Sequence, residues 1–198
     1  MRLENLENGK RITILPGEYY VDKEEVSITT LLGSCVSACL YDPYNRIIGM
    51  NHFLLSNKIY AREMPMCITE AGRYGIHSME LMINEMLKRG ARRGNLKAKA
   101  FGGATVLRNA DPTTGNYFAV GEVNVRFIQE FLQNEKIPLV SSDLGGTVGR
   151  VIHFHSGDFS VYVKRMTKTD NKLVKREKHY WQKTIRKQEK TETQIDLW

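Results

Sequence analysis

The spacing of apolar and polar residues along this chain predicts many short strands and two longer amphipathic helices. Apolar residues at every second position are typical of a strand, and Val36, Ala38 and Leu40 follow this pattern. Short apolar or β-branched runs that end at Gly, Pro, Asp or Asn indicate the other strands. The predicted strands cover residues 12–15, 19–21, 26–32, 36–41, 46–55, 97–101, 137–142, 148–154 and 159–164.

Apolar residues spaced three and four apart predict helices from residue 69 or 70 to about 89 and from about 121 to 134. Strands outnumber helices, and the helices lie between groups of strands, so we expect a layered α+β domain rather than an alternating parallel sheet. The Met-rich face of the first helix indicates core packing. The two predicted faces are Ala71, Gly75, Met79, Met82, Ile83 and Met86, and Val120, Asn124, Phe127, Ile128, Phe131 and Leu132.

The charge distribution separates a nearly neutral body from a basic tail. Residues 164–198 hold 11 Lys and Arg against 5 Asp and Glu, so they carry +6 of the formal net charge of +7. We expect a flexible lead-in over residues 1–11, one domain over 12–166 and a helical or partly disordered tail over 167–198. Nucleic-acid binding through the tail is a weaker alternative, and no specific nucleic-acid partner is expected.

Cysteine content and the N-terminus predict a cytoplasmic protein. The first ten residues, MRLENLENGK, are polar and do not resemble a secretory signal. No apolar run approaches the ~20 residues that span a bilayer, so membrane insertion is not expected. The three cysteines are odd in number and form no CxxC pair, which favours reduced thiols.

A cysteine and a histidine on neighbouring predicted strands are the candidate catalytic pair. Cys35 follows a Gly-Ser turn, and the loop of residues 42–45 predicts a hairpin in which Cys35 directly faces His52. A thiolate is a strong nucleophile, and an adjacent imidazole generates it and later donates a proton. The prediction depends on the register of the hairpin, since a shift by one residue reverses the faces.

Two other constellations are weaker. The Gly-rich turns at 101–105 and 144–150 lack the spacing of a phosphate-binding loop and are read as tight turns. His153 and His155, with Cys35, Cys39 and His52, contain zinc-ligand residue types but no zinc-finger spacing and no HExxH. We therefore predict neither a metal nor an organic cofactor.

Several segments together resemble the CheD family of chemoreceptor glutamine deamidases. They cover roughly residues 13–166 in the order of the family, and the LGSC segment with its following His is the most specific. The segments are TTLLGSCVSACLYDP, GMNHFLL, AKAFGGAT, VGEVNVRFIQEFL and SDLGGTVGRVIHFHSGDFSVYVKR.

The resemblance implies a fold, an activity and a set of catalytic residues. The fold is an α/β/β sandwich related to cysteine deamidase toxins, and the activity converts receptor glutamines to glutamate with release of ammonia. The implied nucleophile is Cys35, with His52 as acid and base. The implied orienting residue is Thr29, six positions before the nucleophile, although Thr30 is adjacent.

The resemblance also implies substrate contacts and partners. Backbone N–H groups near Gly33 and Ser34 would hold the oxyanion. The partners are the cytoplasmic region of methyl-accepting chemoreceptors and the CheC phosphatase. The loop that contacts these partners would be Phe101, Gly102, Gly103 and Ala104.

Two other functions remain open at this point. One is a regulatory binding module that acts mainly through CheC. The other is a different thiol hydrolase or acyltransferase, because such enzymes share the chemistry up to the acyl-enzyme.

Overall fold

The structure is a computed structural model that describes residues 1–6, 9–55, 70–105 and 120–166. Within these ranges the chain forms ten strands and two α-helices, with a short 3-10 turn at Arg93–Asn95. The elements are β1 (Arg2–Leu6), β2 (Gly9–Thr13), β3 (Tyr19–Asp22), β4 (Val26–Leu32), β5 (Val36–Asp42), β6 (Ile47–Asn51), α1 (Glu70–Lys88), β7 (Lys97–Gly102), α2 (Val120–Asn134), β8 (Leu139–Leu144), β9 (Arg150–His155) and β10 (Val161–Arg165).

The strands form two five-stranded sheets, and both helices cover the second sheet. The first sheet has the order β1-β2-β4-β9-β10, and the second has the order β3-β6-β5-β7-β8. Neighbouring strands are antiparallel except for the pairs β2–β4 and β7–β8. Helix α1 packs on β3 and β6, and α2 packs on β5 and β7. The layers are therefore helices, second sheet and first sheet.

Two hydrophobic cores separate these layers. The core between helices and second sheet includes Leu40, Ile47 and Met82. The inter-sheet core includes Ile28 and Phe154. Burying this apolar surface is the main stabilising term of the fold.

Strand β5 takes part in both cores because it is the central strand of the second sheet. All seven of its residues are buried. Val36, Ala38 and Leu40 face the helices, whereas Cys39 and Tyr41 face the first sheet. Side chains alternate along a strand, so this pattern decides which residues line the inter-sheet space.

The layered α+β architecture and both helices agree with the sequence predictions, and the N-terminus differs. Where the sequence predicts a flexible lead-in over residues 1–11, the structure has β1 and β2 paired with each other and β2 joined to β4. Strand β1 is a polar, mostly exposed edge strand, and β2 buries only Ile12. Residues 2–11 therefore lack the apolar alternation that identifies a half-buried strand. Residues 167–198 lie outside the described ranges. Neither of the two described α-helices is long and apolar enough to cross a membrane.

Replacing Phe154 by Ala should destabilise the protein by about 3–5 kcal/mol, because the ring is fully buried between the sheets. The matched control is Tyr162→Ala on the neighbouring strand β10, where the ring is 62% exposed. That change should stay within about 0.5 kcal/mol. Urea unfolding measures both, and equal costs would refute the inter-sheet core.

Candidate active site

Cys35 lies where the chain crosses from one sheet to the other. Strand β4 belongs to the first sheet and β5 to the second, so residues 33–35 span the gap between them. The Cys35 side chain is 3% exposed and packs in the inter-sheet core. Directly after it, Val36 and Phe53 exchange backbone hydrogen bonds of 3.0 and 2.9 Å. This pair ties the start of β5 to the segment that carries His52.

A turn near the N-terminus holds the backbone of His52. The His52 N–H donates to the Glu18 carbonyl at 2.9 Å, and the His52 carbonyl accepts from the Gly17 N–H at 2.7 Å. The turn is closed by a 3.0 Å bond from the Glu18 N–H to the Leu15 carbonyl. The His52 side chain is 2% exposed.

Cys35 and His52 share the inter-sheet face, but the predicted register is wrong by two positions. Cys39, rather than Ser37, pairs with Met50. A shift by two residues leaves every side chain on its predicted face. The two candidate residues are therefore diagonal neighbours across the strands instead of directly opposed.

Asp42 explains the shift in register. Its Oδ1 accepts from the backbone N–H groups of Tyr44 at 2.9 Å and Asn45 at 3.0 Å. Arg46 adopts a left-handed φ of 55°. The turn thus comprises residues 43–46, and Asp42, which the sequence assigns to the turn, remains the last paired residue of β5.

Burial keeps His52 neutral. It lowers the pKa of the imidazole from 6.5 to about 3, because a charged ring loses its hydration between the sheets. The Nε2 atom is buried and has no hydrogen-bond partner in the described part of the chain. An unpaired polar atom is costly in a native core, and a catalytic role is one of the reasons for which it is retained.

Thr30 decides which nitrogen of His52 carries the proton. The Thr30 Oγ1 lies 2.9 Å from the Ile14 carbonyl oxygen and 2.8 Å from His52 Nδ1. A hydroxyl has one proton and the carbonyl only accepts, so Thr30 donates to Ile14 and accepts from Nδ1–H. The lone pair of the neutral imidazole is therefore on Nε2.

Thr29, the residue expected to orient His52, lies on the opposite face of β4. Its Oγ1 is 2.9 Å from His153 Nδ1 on β9 of the same sheet. Adjacent strand residues point to opposite faces, so only one of the two threonines reaches the inter-sheet space. The contact with His52 is made by Thr30.

The strand histidines do not form a metal cluster. His153 and His155 alternate with the fully buried Ile152 and Phe154, so they lie on the outer face of the first sheet. Within the described ranges no group of three His, Cys, Asp or Glu side chains could hold a metal ion.

The glycine turn after β7 braces the Cys35 segment. The Gly103 N–H donates to the Cys35 carbonyl at 2.8 Å, and the Ala104 N–H donates to the Gly33 carbonyl at 2.7 Å. Gly102 has a φ of 110°, and a Cβ there would overlap the Cys35 carbonyl oxygen. Only glycine permits both this backbone conformation and this approach.

The burial of this turn bears on its expected role as a partner contact. Residues Phe101, Gly102, Gly103 and Ala104 are all buried, and Phe101 packs in the inter-sheet core. Their exposure gives no support to a docking role, which stays a prediction. In the structure this turn instead holds the backbone of residues 33–35 through hydrogen bonds.

The second Gly-rich turn, residues 144–149, braces the first. The Gly145 N–H donates to the Gly102 carbonyl at 2.8 Å. The Arg150 guanidinium, 4% exposed, donates to the carbonyl oxygens of Asp143 and Gly145 and pairs with the Asp143 carboxylate at 2.9 Å. Backbone packing thus accounts for both Gly-rich turns.

Comparison with known proteins gives a consistent result. Residues 61–165 match the family model described as CheD chemotactic sensory transduction. The probable chemoreceptor glutamine deamidase CheD 1 of Geobacter sulfurreducens is 52% identical over 199 residues, covering 100% of this chain and 98% of that protein. This chain belongs to the CheD family. The probable chemoreceptor glutamine deamidase CheD 2 of Shewanella oneidensis is 47% identical over 164 residues, covering 81% of this chain and 80% of that protein.

The family model and the relatives match different parts of this CheD chain, and only some of these parts include the candidate site. The family-model match begins at residue 61, beyond Cys35 and His52. The alignment with the Geobacter sulfurreducens relative covers the whole chain and so includes both residues.

Tyr74 on α1, which the sequence patterns do not single out, is electrostatically coupled to Cys35 of the CheD site. Burial and the charge of Cys35 both raise the pKa of Tyr74, and such a charge effect requires proximity. Tyr74 is 37% exposed. It lies one helical turn before Ser78, whose hydroxyl accepts a 3.5 Å bond from Asn51 beside His52.

The two described cysteines have different chemistry. Cys39 is completely buried, and burial raises the pKa of its thiol well above the ordinary value. A thiol that stays protonated is a poor nucleophile. Cys39 is therefore a structural core residue and a suitable control for Cys35.

His52 should make stability depend on pH. Its pKa is about 6.5 in the unfolded chain and about 3 in the folded protein. Below pH 6.5 the unfolded state binds a proton that the folded state excludes, so stability falls with decreasing pH. The His52 contribution should approach about 1.4 kcal/mol per pH unit between pH 6 and 4.

The measurement compares urea unfolding of wild type and His52→Gln from pH 8 to 4. Glutamine retains a neutral polar side chain and removes the titration. The wild-type curve should fall more steeply than that of the variant below pH 6.5. Parallel curves would contradict the neutral, buried imidazole.

Proposed function

We propose that this protein hydrolyses the side-chain carboxamide of chemoreceptor glutamines to glutamate, with Cys35 as nucleophile. The observation that carries the proposal concerns a neutral His52 on the inter-sheet face that Cys35 shares: its Nε2 has no hydrogen-bond partner among the residues that the structure describes. The substrate class comes from the relatives, which are named probable chemoreceptor glutamine deamidases. The process would be chemotaxis, as the family description states.

The first step forms a bond between Cys35 Sγ and the carboxamide carbon. His52 Nε2 takes the thiol proton, which a neutral imidazole with its lone pair on that atom is able to do. The resulting imidazolium keeps its Nδ1–H bond to Thr30. The carbonyl electron pair moves to oxygen, and N–H groups near Gly33 and Ser34 would hold this oxyanion.

The second step releases ammonia. The proton on His52 Nε2 passes to the amide nitrogen, the carbon–nitrogen bond breaks and a thioester on Cys35 remains. Protonation is needed because an amide anion is a very poor leaving group. Neutral His52 is regenerated and is ready to act as a base again.

The third step hydrolyses the thioester. His52 Nε2 takes a proton from water, the hydroxyl adds to the thioester carbon, and the Cys35 sulfur leaves as the thiolate. That thiolate recovers its proton from the imidazolium, and glutamate is released. The net reaction consumes one water and yields one ammonia, and it uses only groups of this chain.

Thr30 is the orienting residue in this proposal, in place of Thr29. Its hydroxyl fixes the ring of His52 through Nδ1, the role that the third member of a catalytic triad performs. Kinship with cysteine deamidase toxins, a role for the basic tail, the CheC partner and a cytoplasmic location remain predictions. The described geometry favours hydrolysis over a purely regulatory binding module because the polar atoms of His52 and Thr30 are arranged for proton transfer.

Cys35→Ala should abolish deamidation, whereas Cys39→Ala should retain it within about threefold. Mass spectrometry of a chemoreceptor cytoplasmic fragment after incubation measures the conversion of glutamine to glutamate. Circular dichroism checks that both variants are folded. Conversion by Cys35→Ala would refute the nucleophile, and an inactive wild-type protein that still binds the fragment would favour the regulatory module.

Thr30→Val should lower the deamidation rate by at least about tenfold, because a near-isosteric side chain loses the acceptor for Nδ1–H. Thr29→Val, its neighbour with a hydroxyl on the outer face, should stay within about twofold. Thr30→Ser keeps the hydroxyl and should restore most of the rate. Equal losses in the two valine variants would overturn the assignment of Thr30.

A further inference from the structure

A single polar side chain interrupts the apolar face of α2. Among the buried residues of this helix, Asn124 alone has a polar side chain, and it is 0% exposed. The residues around it on that face include Val120, Phe127 and Ile128. A buried amide destabilises a core unless its polar atoms are hydrogen-bonded, so the contacts of Asn124 indicate why it is there.

Asn124 connects the segment before Cys35 with the segment after His52. Its Nδ2 donates to the Ser34 carbonyl at 3.0 Å, and its Oδ1 accepts from the Leu55 N–H at 2.8 Å. Ser34 directly precedes Cys35, and Leu55 comes three residues after His52. One amide thus spans the two segments that carry the proposed catalytic pair.

A third bond fixes the amide itself. The Nδ2 also donates to the Val120 carbonyl at 2.9 Å, one turn earlier in α2. This bond uses the second amide proton and determines which way the amide points. The side chain is therefore held by its own helix, and it positions the two loops relative to that helix.

The bond to Ser34 has a consequence for the nucleophile. The Ser34 carbonyl and the Cys35 N–H belong to one planar trans peptide unit, in which they point in opposite directions. Fixing the carbonyl therefore fixes the direction of that N–H and the start of the Cys35 side chain. Donors of this kind act in acyl transfer only when they are aimed at the developing oxyanion.

We propose that Asn124 is a positioning residue for deamidation, which orients the Ser34–Cys35 peptide against the segment of His52. The inference rests on the proposed function and adds a residue that touches neither the substrate nor the reacting atoms. Its effect is on the rate of the chemical step, since small misplacements of reacting groups cost up to about 10²-fold in rate. Binding of the receptor does not depend on it.

The side-chain requirement is specific. Aspartate would direct a carboxylate oxygen at the Ser34 and Val120 carbonyls, and leucine would leave the Leu55 N–H without its acceptor. Alanine removes all three contacts but leaves space for water. We therefore choose Asn124→Leu and Asn124→Ala, so that the test survives if one of the two fails to fold.

The matched control is Ile128→Ala. Ile128 lies one turn further along α2 on the same buried face, is 0% exposed and has no polar contact to lose. This change loosens the packing of α2 without removing the amide. Thermal unfolding ranks the variants, and kinetics are measured on the full chain at a temperature where all of them are folded.

The experiment measures kcat and KM for deamidation of a chemoreceptor cytoplasmic fragment. We expect both Asn124 variants to lose at least tenfold in kcat with KM within about threefold, while Ile128→Ala keeps kcat within about twofold. Wild-type kcat in a folded Asn124 variant, or an equal loss in Ile128→Ala, would overturn the inference and leave the proposed function intact. An inactive wild-type protein would overturn both.

Discussion

The site depends on one hydrogen-bonded chain that crosses the space between the two sheets. The Thr30 hydroxyl on β4 donates to the Ile14 carbonyl and accepts from His52 Nδ1 on the segment after β6. Because Thr30 has only one hydroxyl proton and donates it to the Ile14 carbonyl, its oxygen must accept a hydrogen bond from His52. The imidazole proton is therefore on Nδ1. Desolvation keeps the ring neutral, and the lone pair is then left on Nε2, which has no hydrogen-bond partner within the described ranges.

The fold supplies the second requirement, which is a fixed nucleophile. The chain changes sheets at residues 33–35, and such a crossing has no ladder of its own to hold it. The carbonyl oxygens of Gly33 and Cys35 are instead bound by the glycine turn after β7, which is bound in turn by the loop that Arg150 holds. With the Ser34 carbonyl bound by Asn124, all three carbonyl oxygens of the crossing are paired, as burial requires. A rigid scaffold that positions a short segment is typical of active sites.

Much of the architecture follows from hydrophobic periodicity. Strand β4 and both helices end within one or two residues of their predicted bounds, because their apolar spacing is regular. The register of the β5–β6 hairpin cannot be read from hydrophobic periodicity. Asp42 pairs with Ile47 in the strand, and its side chain also accepts a hydrogen bond from the backbone of the turn. The pairing of β1 and β2 is also not predictable from periodicity, because β1 is a polar edge strand and β2 buries only Ile12, so main-chain hydrogen bonds rather than an apolar face define them.

In the candidate site, too, some residues are recognisable from the sequence, whereas others are identified only by their contacts in the folded protein. Cys35 and His52 are recognisable from a short motif, and the shared face survives the error in register because the shift is even. The choice between Thr29 and Thr30 depends on which face of β4 meets the second sheet. For Asn124 the helical pattern does contain a signal, a polar residue on an apolar face, but its partners near Ser34 and Leu55 lie far away in the sequence.

The most direct test of the account is ¹⁵N NMR of the His52 imidazole in the folded protein. We expect a neutral ring with the proton on Nδ1, a lone pair on Nε2 and no titration between pH 8 and 5. A proton on Nε2, or a pKa near the ordinary 6.5, would contradict it, because His52 would then lack the free lone pair that the proposed proton transfer from Cys35 requires.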